Sequence, residues 1–169
     1  FVVLMRIFRS IVLSVKAIIL DLISIGLSFS ALVVVFKFGV GTYQLQQIEA
    51  WVLILLFAIL FGLSMDYEIF IVSRMREARD NGASNEAAIR EGMQASGTVV
   101  TAAALIFITA LTGLITGHFA GLQQLGVGLA IGVIVDATII RGLLLPSAMV
   151  LLGRWNWWMP TQRKTPTLK

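Results

Sequence analysis

Long apolar runs alternate with short polar segments along the chain. A membrane-spanning helix needs about twenty apolar residues, and four runs reach that length: 17–36, 51–73, 98–117 and 122–152. They are too long for buried strands. The chain starts inside a further, shorter run, residues 1–8, which we interpret as the end of a fifth helix of a longer protein. The pattern predicts an all-α polytopic membrane protein with four full transmembrane helices plus the end of a fifth.

The segment between the second and third runs, residues 74–97, is charged. Ser84 or Asn85 can cap a helix, and Ile89 and Met93 are spaced to lie on one side of it. We therefore predict a cytoplasmic connection with a short amphipathic helix at the membrane interface. Its charged residues are predicted to form a solvated face.

Basic residues set the predicted orientation, because cytoplasmic segments of membrane proteins are enriched in Lys and Arg. Those predicted on one face are Arg6, Arg9, Lys16, Arg74, Arg76, Arg79, Arg90, Arg154, Arg163, Lys164 and Lys169. Lys37 lies opposite. Trp155, Trp157 and Trp158 follow the last run and Trp51 begins the second, as expected of aromatic residues at the two interfaces. This pattern predicts a multi-pass membrane protein with a cytoplasmic tail at 153–169.

Composition agrees with a membrane location. The 169 residues are 58% hydrophobic, too apolar to coat a soluble domain, and the mean hydropathy is +0.92. A net charge of +4 would favour nucleic acid as a partner of a soluble protein, but here the basic residues cluster at the ends of apolar runs. The chain has no cysteine, which excludes disulfides, thiolate nucleophiles and Cys-ligated metals.

Three acidic residues, Asp21, Asp66 and Asp136, lie well inside apolar runs. A charged side chain at the bilayer centre costs about 2.5–3.5 kcal/mol on insertion scales. The presence of each of these acidic residues in the membrane therefore requires a structural or functional explanation. Gly62 precedes Asp66 by one turn, and Gly128 and Gly132 lie at the two turns that precede Asp136. Because stripes of small residues mark the packing faces of membrane helices, we expect Asp66 and Asp136 to face protein.

Other polar residues leave more than one interpretation open. Thr109 and Thr112 could line a polar seam inside the bundle, or could bond back to their own helix. Asp136 could form a structural ion pair with Arg141, five residues later, or take part in function. Asp21, with Ser24 and Ser28 after it, could belong to the same seam. Asp21 also lies near the predicted cytoplasmic end of its run, and snorkelling toward that interface would explain it.

Asp66 has no basic residue within one helical turn. An unpaired aspartate in the membrane can change its protonation state near neutral pH, because burial disfavours the charged form. Tyr67 points about 100° away from Asp66 around the helix, so each needs a partner on another helix. Glu68 is nearer the cytoplasmic end, where we expect it to reach water. The sequence therefore favours Asp66 as a proton switch.

Three stretches, "GLSMDYEIFIVSRMRE", "GVGLAIGVIVDATIIRGLLLPSAMVLLG" and "WWMP", resemble the C-terminal transmembrane half of the MMPL transporters, a branch of the resistance-nodulation-division (RND) superfamily. The resemblance implies an RND-type helix bundle in two repeats, of which this chain carries part of the second. It also implies that Asp66 and Tyr67 are a proton-relay pair, completed by an equivalent pair from the N-terminal repeat, which this chain lacks.

The resemblance implies a secondary active transporter, not an enzyme, that exports lipids or other amphiphilic cargo across the cytoplasmic membrane. Its energy source would be the proton gradient, with no cofactor and no metal. The expected partners are the cargo, the N-terminal repeat and membrane lipids. Cargo identity and oligomeric state stay open.

Two alternatives remain at the level of sequence. Asp66 and Asp136 could form the dyad of an intramembrane aspartyl hydrolase, since their predicted depths in the membrane are compatible. The chain could also belong to a non-transporting or protein-export accessory protein of the same superfamily.

Overall fold

The computed structural model describes residues 2–8, 10–38 and 47–158. Within these residues the chain is helical, and its elements are α1 (Val2–Phe8), α2 (Ile11–Lys37), α3 (Ala50–Asp80), α4 (Asn85–Ile115), α5 (Ala120–Val135), a π-helical segment (Asp136–Leu144), α6 (Leu145–Leu152) and a 3₁₀ turn (Gly153–Trp157). Residues 39–46, between α2 and α3, and most of the predicted tail at 153–169 lie outside the described residues. The all-α architecture is confirmed.

Four helices are long and apolar enough to cross a membrane: Ile11–Lys37, Ala50–Asp80, Asn85–Ile115 and Ala120–Leu152. The last combines α5, the π-helical segment and α6. Three of them contain a predicted run and extend beyond it, whereas the third begins well before the run 98–117 and ends two residues short of its predicted end. Once a helix leaves the hydrocarbon it no longer needs apolar residues, and the Arg, Glu and Ala residues that follow are good helix formers.

The connection predicted at 74–97 differs in the structure. α3 continues to Asp80 and α4 begins at Asn85, so the two helices meet in a tight turn and no separate interfacial helix forms. Gly82 has a φ of +94°, a left-handed conformation that other residues rarely adopt. The Ser84 hydroxyl accepts a hydrogen bond from the amide of Ala87 at 3.2 Å and caps α4, as its sequence position predicted.

Side-chain contacts identify the two ends of the bundle. At one end, the Trp51 ring stacks on Phe119 with centroids 6.4 Å apart, joining the starts of α3 and α5. At the other end, the indole N–H of Trp157 donates to the Asn85 Oδ1 at 3.0 Å. Trp51 and Trp157 thus lie at opposite ends of the helix bundle. This agrees with their predicted positions at the two membrane–water interfaces.

The close packing of α5 depends on its glycines. A Cβ atom built on Gly128 would lie 2.7 Å from Leu56 Cδ1, and one on Gly132 would lie 2.6 Å from Leu60 Cδ1 and 2.7 Å from Ser28 Oγ. No ordinary side chain tolerates such distances, so these glycines let α5 approach α2 and α3 directly. The predicted packing role of the Gly128 and Gly132 stripe is confirmed.

A similar contact between α3 and α4 supports a stability prediction. A Cβ on Gly92 would lie 2.8 Å from the backbone nitrogen of Met75, which cannot move without shifting α3. We expect Gly92→Ala to destabilise the protein by about 1–3 kcal/mol, as overpacking does. Gly113→Ala is the matched control in the same helix, because nothing lies within 4 Å of its Cβ position.

Thermal unfolding of the purified intact protein in detergent measures both effects. The control should melt at the wild-type temperature or slightly above it, since alanine favours a helix more than glycine does. An unchanged melting temperature for Gly92→Ala would show that the helices do not pack this closely.

Candidate functional site

The π-helical segment brings Asp136 and Arg141 together. In an α-helix, residues five apart point about 140° away from each other. A π-helix is hydrogen-bonded from residue i to i+5, so the same two residues come to lie on one side. Arg141 Nε donates to Asp136 Oδ2 at 2.7 Å, and the two residues are only 3% and 5% exposed. The structure thus shows the ion pair that the sequence left as one of two interpretations.

Ser64 of α3 joins this ion pair to α2. Its hydroxyl oxygen lies 2.5 Å from Asp21 Oδ1, 3.0 Å from Asp136 Oδ1 and 2.8 Å from Arg141 Nη2. The same Nη2 also donates to the backbone carbonyl of Ser64. One serine side chain therefore contacts two carboxyl groups and a guanidinium, which come from α2 and from the π-helical segment.

Two further ionisable residues extend this buried site. Glu68 lies one turn after Ser64 on the same face of α3 and is 4% exposed, while Lys16 of α2 is 8% exposed. The two interact electrostatically with each other, and Glu68 also interacts with Asp21. We call Lys16, Asp21, Ser64, Glu68, Asp136 and Arg141 the buried charged cluster.

Two sequence-based expectations about this cluster were wrong. Asp21 does not snorkel to the interface, because α2 begins at Ile11 and places it inside the bundle, where it is 1% exposed. Glu68 does not reach water, because its spacing of four residues from Ser64 turns it toward α2. That spacing, together with the Asp21, Ser24 and Ser28 stripe on α2, was the signal that could have located the cluster.

The residues predicted as a proton-relay pair lie at the edge of the cluster. Tyr67 is half-buried, and Cζ of Arg141 lies 5.2 Å from the centroid of its ring, a cation–π distance. Asp66 lies on the exposed face of α3 beside Gly62, whose Cβ position has nothing within 4 Å. The expected packing of Asp66 against protein is therefore not found among the described residues of this chain.

Thr109 and Thr112 lie apart from the cluster. Both are exposed on α4, and their hydroxyls donate to the carbonyls of Leu105 and Thr109, each at 2.7 Å. These are the backbone bonds that membrane-embedded threonines commonly make. Of the residues predicted for a polar seam, the structure brings Asp136 and Arg141 together and leaves the two threonines outside.

The geometry does not favour a dyad of Asp66 and Asp136. Such a dyad needs two carboxyl groups that share one proton. In the structure, one oxygen of Asp136 contacts Ser64 and the other contacts Arg141, whereas Asp66 lies on the exposed face of α3. Both oxygens of Asp136 are already engaged.

A cavity of about 150 Å³ lies on another side of Arg141, between α3, α4 and the π-helical segment. Its lining includes Ser96, Gly97, Ala137 and Arg141. The fully buried Ser96 hydroxyl and the Arg141 Nη1 have no hydrogen-bond partner among the described residues. Polar atoms around a space of this size can bind internal water.

The fold and the site define a multi-pass membrane protein with a charged cluster inside its helix bundle. A family model described as the MMPL family matches residues 1–168. This chain therefore belongs to the MMPL family, and the resemblance inferred from its motifs is confirmed.

Curated relatives cover nearly all of this chain. Putative membrane protein SCO6666 of Streptomyces coelicolor is 40% identical over 165 residues, which is 95% of this chain and 23% of that protein. The mycolic acid-containing lipids exporter MmpL11 of Mycolicibacterium smegmatis is 37% identical over 95% of this chain and 17% of its own length. The trehalose monomycolate exporter MmpL3 of the same organism is 38% identical, with coverages of 93% and 16%. The chain thus spans less than a quarter of the length of these relatives.

Proposed function

We propose that this chain is part of an exporter, driven by the proton-motive force, that moves lipids or other amphiphilic cargo across the cytoplasmic membrane. One relative is named as an exporter of mycolic acid-containing lipids and another as a trehalose monomycolate exporter, which supports lipid as the cargo class. The observation that best supports proton coupling is the contact between Tyr67 and Arg141, which joins the predicted relay pair to the buried charged cluster.

The position of Asp66 fits a role in a larger protein. An exposed carboxylate in the middle of a membrane-spanning helix is costly unless a protein surface covers it. The relatives are more than four times as long as the segment they share with this chain. We propose that an N-terminal repeat of the intact protein covers the face of α3 that carries Asp66 and supplies a second Asp-Tyr pair.

The proposed orientation places the turn between α3 and α4 in the cytoplasm. Arg74, Arg76 and Arg79 lie at the end of α3 that leads to this turn, and the 3₁₀ turn after α6 lies at the same end of the bundle. An excess of basic residues marks cytoplasmic segments. The chain after α6 would then continue into the cytoplasm of a bacterium.

Dissipating the proton gradient tests the proposed energy source. In cells that depend on the intact protein for export, a protonophore should stop the appearance of newly made cargo outside the cytoplasmic membrane within minutes, because influx of protons would no longer drive the cycle. Cellular ATP is measured in parallel and held constant by a fermentable carbon source. Export that continues at the wild-type rate without a proton gradient would refute proton coupling.

A further inference from the structure

The buried charged cluster contains one more acidic group than basic groups. Among the described residues, its acids are Asp21, Glu68 and Asp136, and its bases are Lys16 and Arg141, all at most 8% exposed. With every group ionised, the cluster would carry a net charge of −1 inside the bundle. An uncompensated buried charge is far more costly than a neutral group. One additional proton on one of the three acids makes the cluster electrically neutral.

The charged neighbours of the three acids differ. Asp136 is bonded directly to Arg141. Glu68 has Lys16 as its electrostatic partner, although Lys16 Nζ makes no hydrogen bond to it among the described residues. Asp21 has the Ser64 hydroxyl as its hydrogen-bond partner and interacts with Arg141 only over a longer range. Asp21 is therefore the acid on which the additional proton is least opposed by a neighbouring positive charge.

The hydrogen atoms around Ser64 lead to the same residue. A serine hydroxyl has one hydrogen to donate, yet its oxygen lies within hydrogen-bond distance of carboxyl oxygens of both Asp21 and Asp136. If both were carboxylates, only one could receive that hydrogen, and the other contact would place two acceptors against each other. The conflict disappears if one of the two carboxyl groups carries a proton and donates it to Ser64, while Ser64 donates its own hydrogen to the other. Because Asp136 is paired with Arg141, Asp21 is the group assigned as the donor to Ser64.

The remaining oxygen of Asp21 is consistent with this assignment. Asp21 Oδ2 is buried and has no hydrogen-bond partner among the described residues. The space that Asp21 shares with Ser64, Glu68 and Arg141 is also too narrow for a water molecule. An unpartnered oxygen costs less on a neutral carboxylic acid than on a carboxylate, because the neutral group loses less solvation on burial.

We propose that Asp21 carries a proton at neutral pH and exchanges it with Asp136 through the Ser64 hydroxyl, which makes these three side chains a proton-transfer path inside the bundle. In the transfer, the O–H bond of Asp21 breaks and its proton forms a new O–H bond with Ser64 Oγ. The original serine proton moves to Asp136 Oδ1. Asp21 becomes a carboxylate, Asp136 a carboxylic acid, and the charge of the cluster is unchanged.

Arg141 connects this path to the proposed function, on which its role in transport rests. The guanidinium binds Asp136 and Ser64 and also lies over the Tyr67 ring. When Asp136 becomes neutral, its attraction for Arg141 weakens, while the negative charge on Asp21 becomes available to the same guanidinium. A proton moving along the path therefore changes the forces on a side chain that touches the predicted relay pair.

Infrared spectroscopy of the purified intact protein in lipid nanodiscs tests the protonation of Asp21 without any transport assay. At neutral pH, the wild-type spectrum minus that of Asp21→Asn should contain the C=O stretch of a protonated carboxyl group. Asparagine resembles the neutral acid and can donate to Ser64, so this variant should fold. Glu86→Gln, at an exposed position of α4, is the matched control and should leave the band unchanged. A difference spectrum that shows only carboxylate bands, or a band that Glu68→Gln abolishes and Asp21→Asn does not, overturns the proposal.

The Ser64 step has its own test. Ser64→Ala should keep the carboxyl band but move its frequency, because Asp21 loses its hydrogen-bond acceptor, and it should lower proton-coupled export to near background. Ser64→Thr restores a hydroxyl and should recover both. Wild-type export by Ser64→Ala, at normal thermal stability, would overturn the transfer path. If transport proves independent of the proton gradient, the infrared result still decides the protonation of Asp21.

Discussion

Replacing Asp66 with asparagine is expected to abolish cargo export by the intact protein while leaving its amount in the membrane unchanged. Asparagine keeps the size and polarity of the side chain but cannot release a proton, so a transport cycle that needs protonation and deprotonation of Asp66 stops. Because Asp66 lies on the exposed face of α3 and outside the buried charged cluster, its replacement should disturb the packing of this chain little.

Export of newly made cargo and the quantity of protein in isolated membranes are measured in the same cells. Glu86→Gln provides the control, since it removes an acidic group from an exposed position at the start of α4. It should export at the wild-type rate. Normal export by Asp66→Asn would remove this residue from the mechanism and with it the proposed relay.

Replacing Arg141 with methionine is expected to have the largest effect on stability. The guanidinium makes hydrogen bonds to Asp136, to the Ser64 hydroxyl and to the Ser64 carbonyl. Removing one partner of a buried ion pair leaves an uncompensated charge and costs about 3–5 kcal/mol. We therefore expect a clearly lower melting temperature in detergent and less folded protein in the membrane.

A second variant separates the charge from the packing. The double replacement Asp136→Asn with Arg141→Met removes both members of the pair, and replacing a buried ion pair as a unit is often nearly neutral for stability. The double variant should melt well above Arg141→Met alone. Equal destabilisation of the single and double variants would mean that Arg141 stabilises the bundle through contacts other than Asp136.

The sequence predicted the helices well but located their ends poorly. The length of an apolar run identifies a membrane span, but the run ends where charged residues begin. The helix itself can continue, because its backbone hydrogen bonds form in water as well as in hydrocarbon, and α3 extends to Asp80. Ser10 shows the same limit. Its hydroxyl accepts a hydrogen bond from the Leu13 amide and caps α2. The helix begins at Ile11, six residues before the predicted start at residue 17.

The site was less predictable because it depends on contacts between helices. The sequence identified Asp136 and Arg141 as a candidate pair, but an α-helical spacing separates them, and only the π-helical segment brings them together. The sequence predicted no role for Ser64, because single serines are common in membrane helices. Its role depends on α2 and the π-helical segment both packing against α3 at Ser64. The pattern of residues along the sequence does not specify this contact between helices.

The most direct test of proton coupling is a flux measurement in proteoliposomes. Intact protein is reconstituted with a pH-sensitive dye inside the vesicles, and a pH gradient, acidic outside, is imposed with and without lipid cargo. We predict that the interior acidifies faster when cargo is present, and that Asp66→Asn shows only the leak of protein-free vesicles. Cargo movement without accompanying proton entry, in wild-type protein at normal activity, would contradict the account.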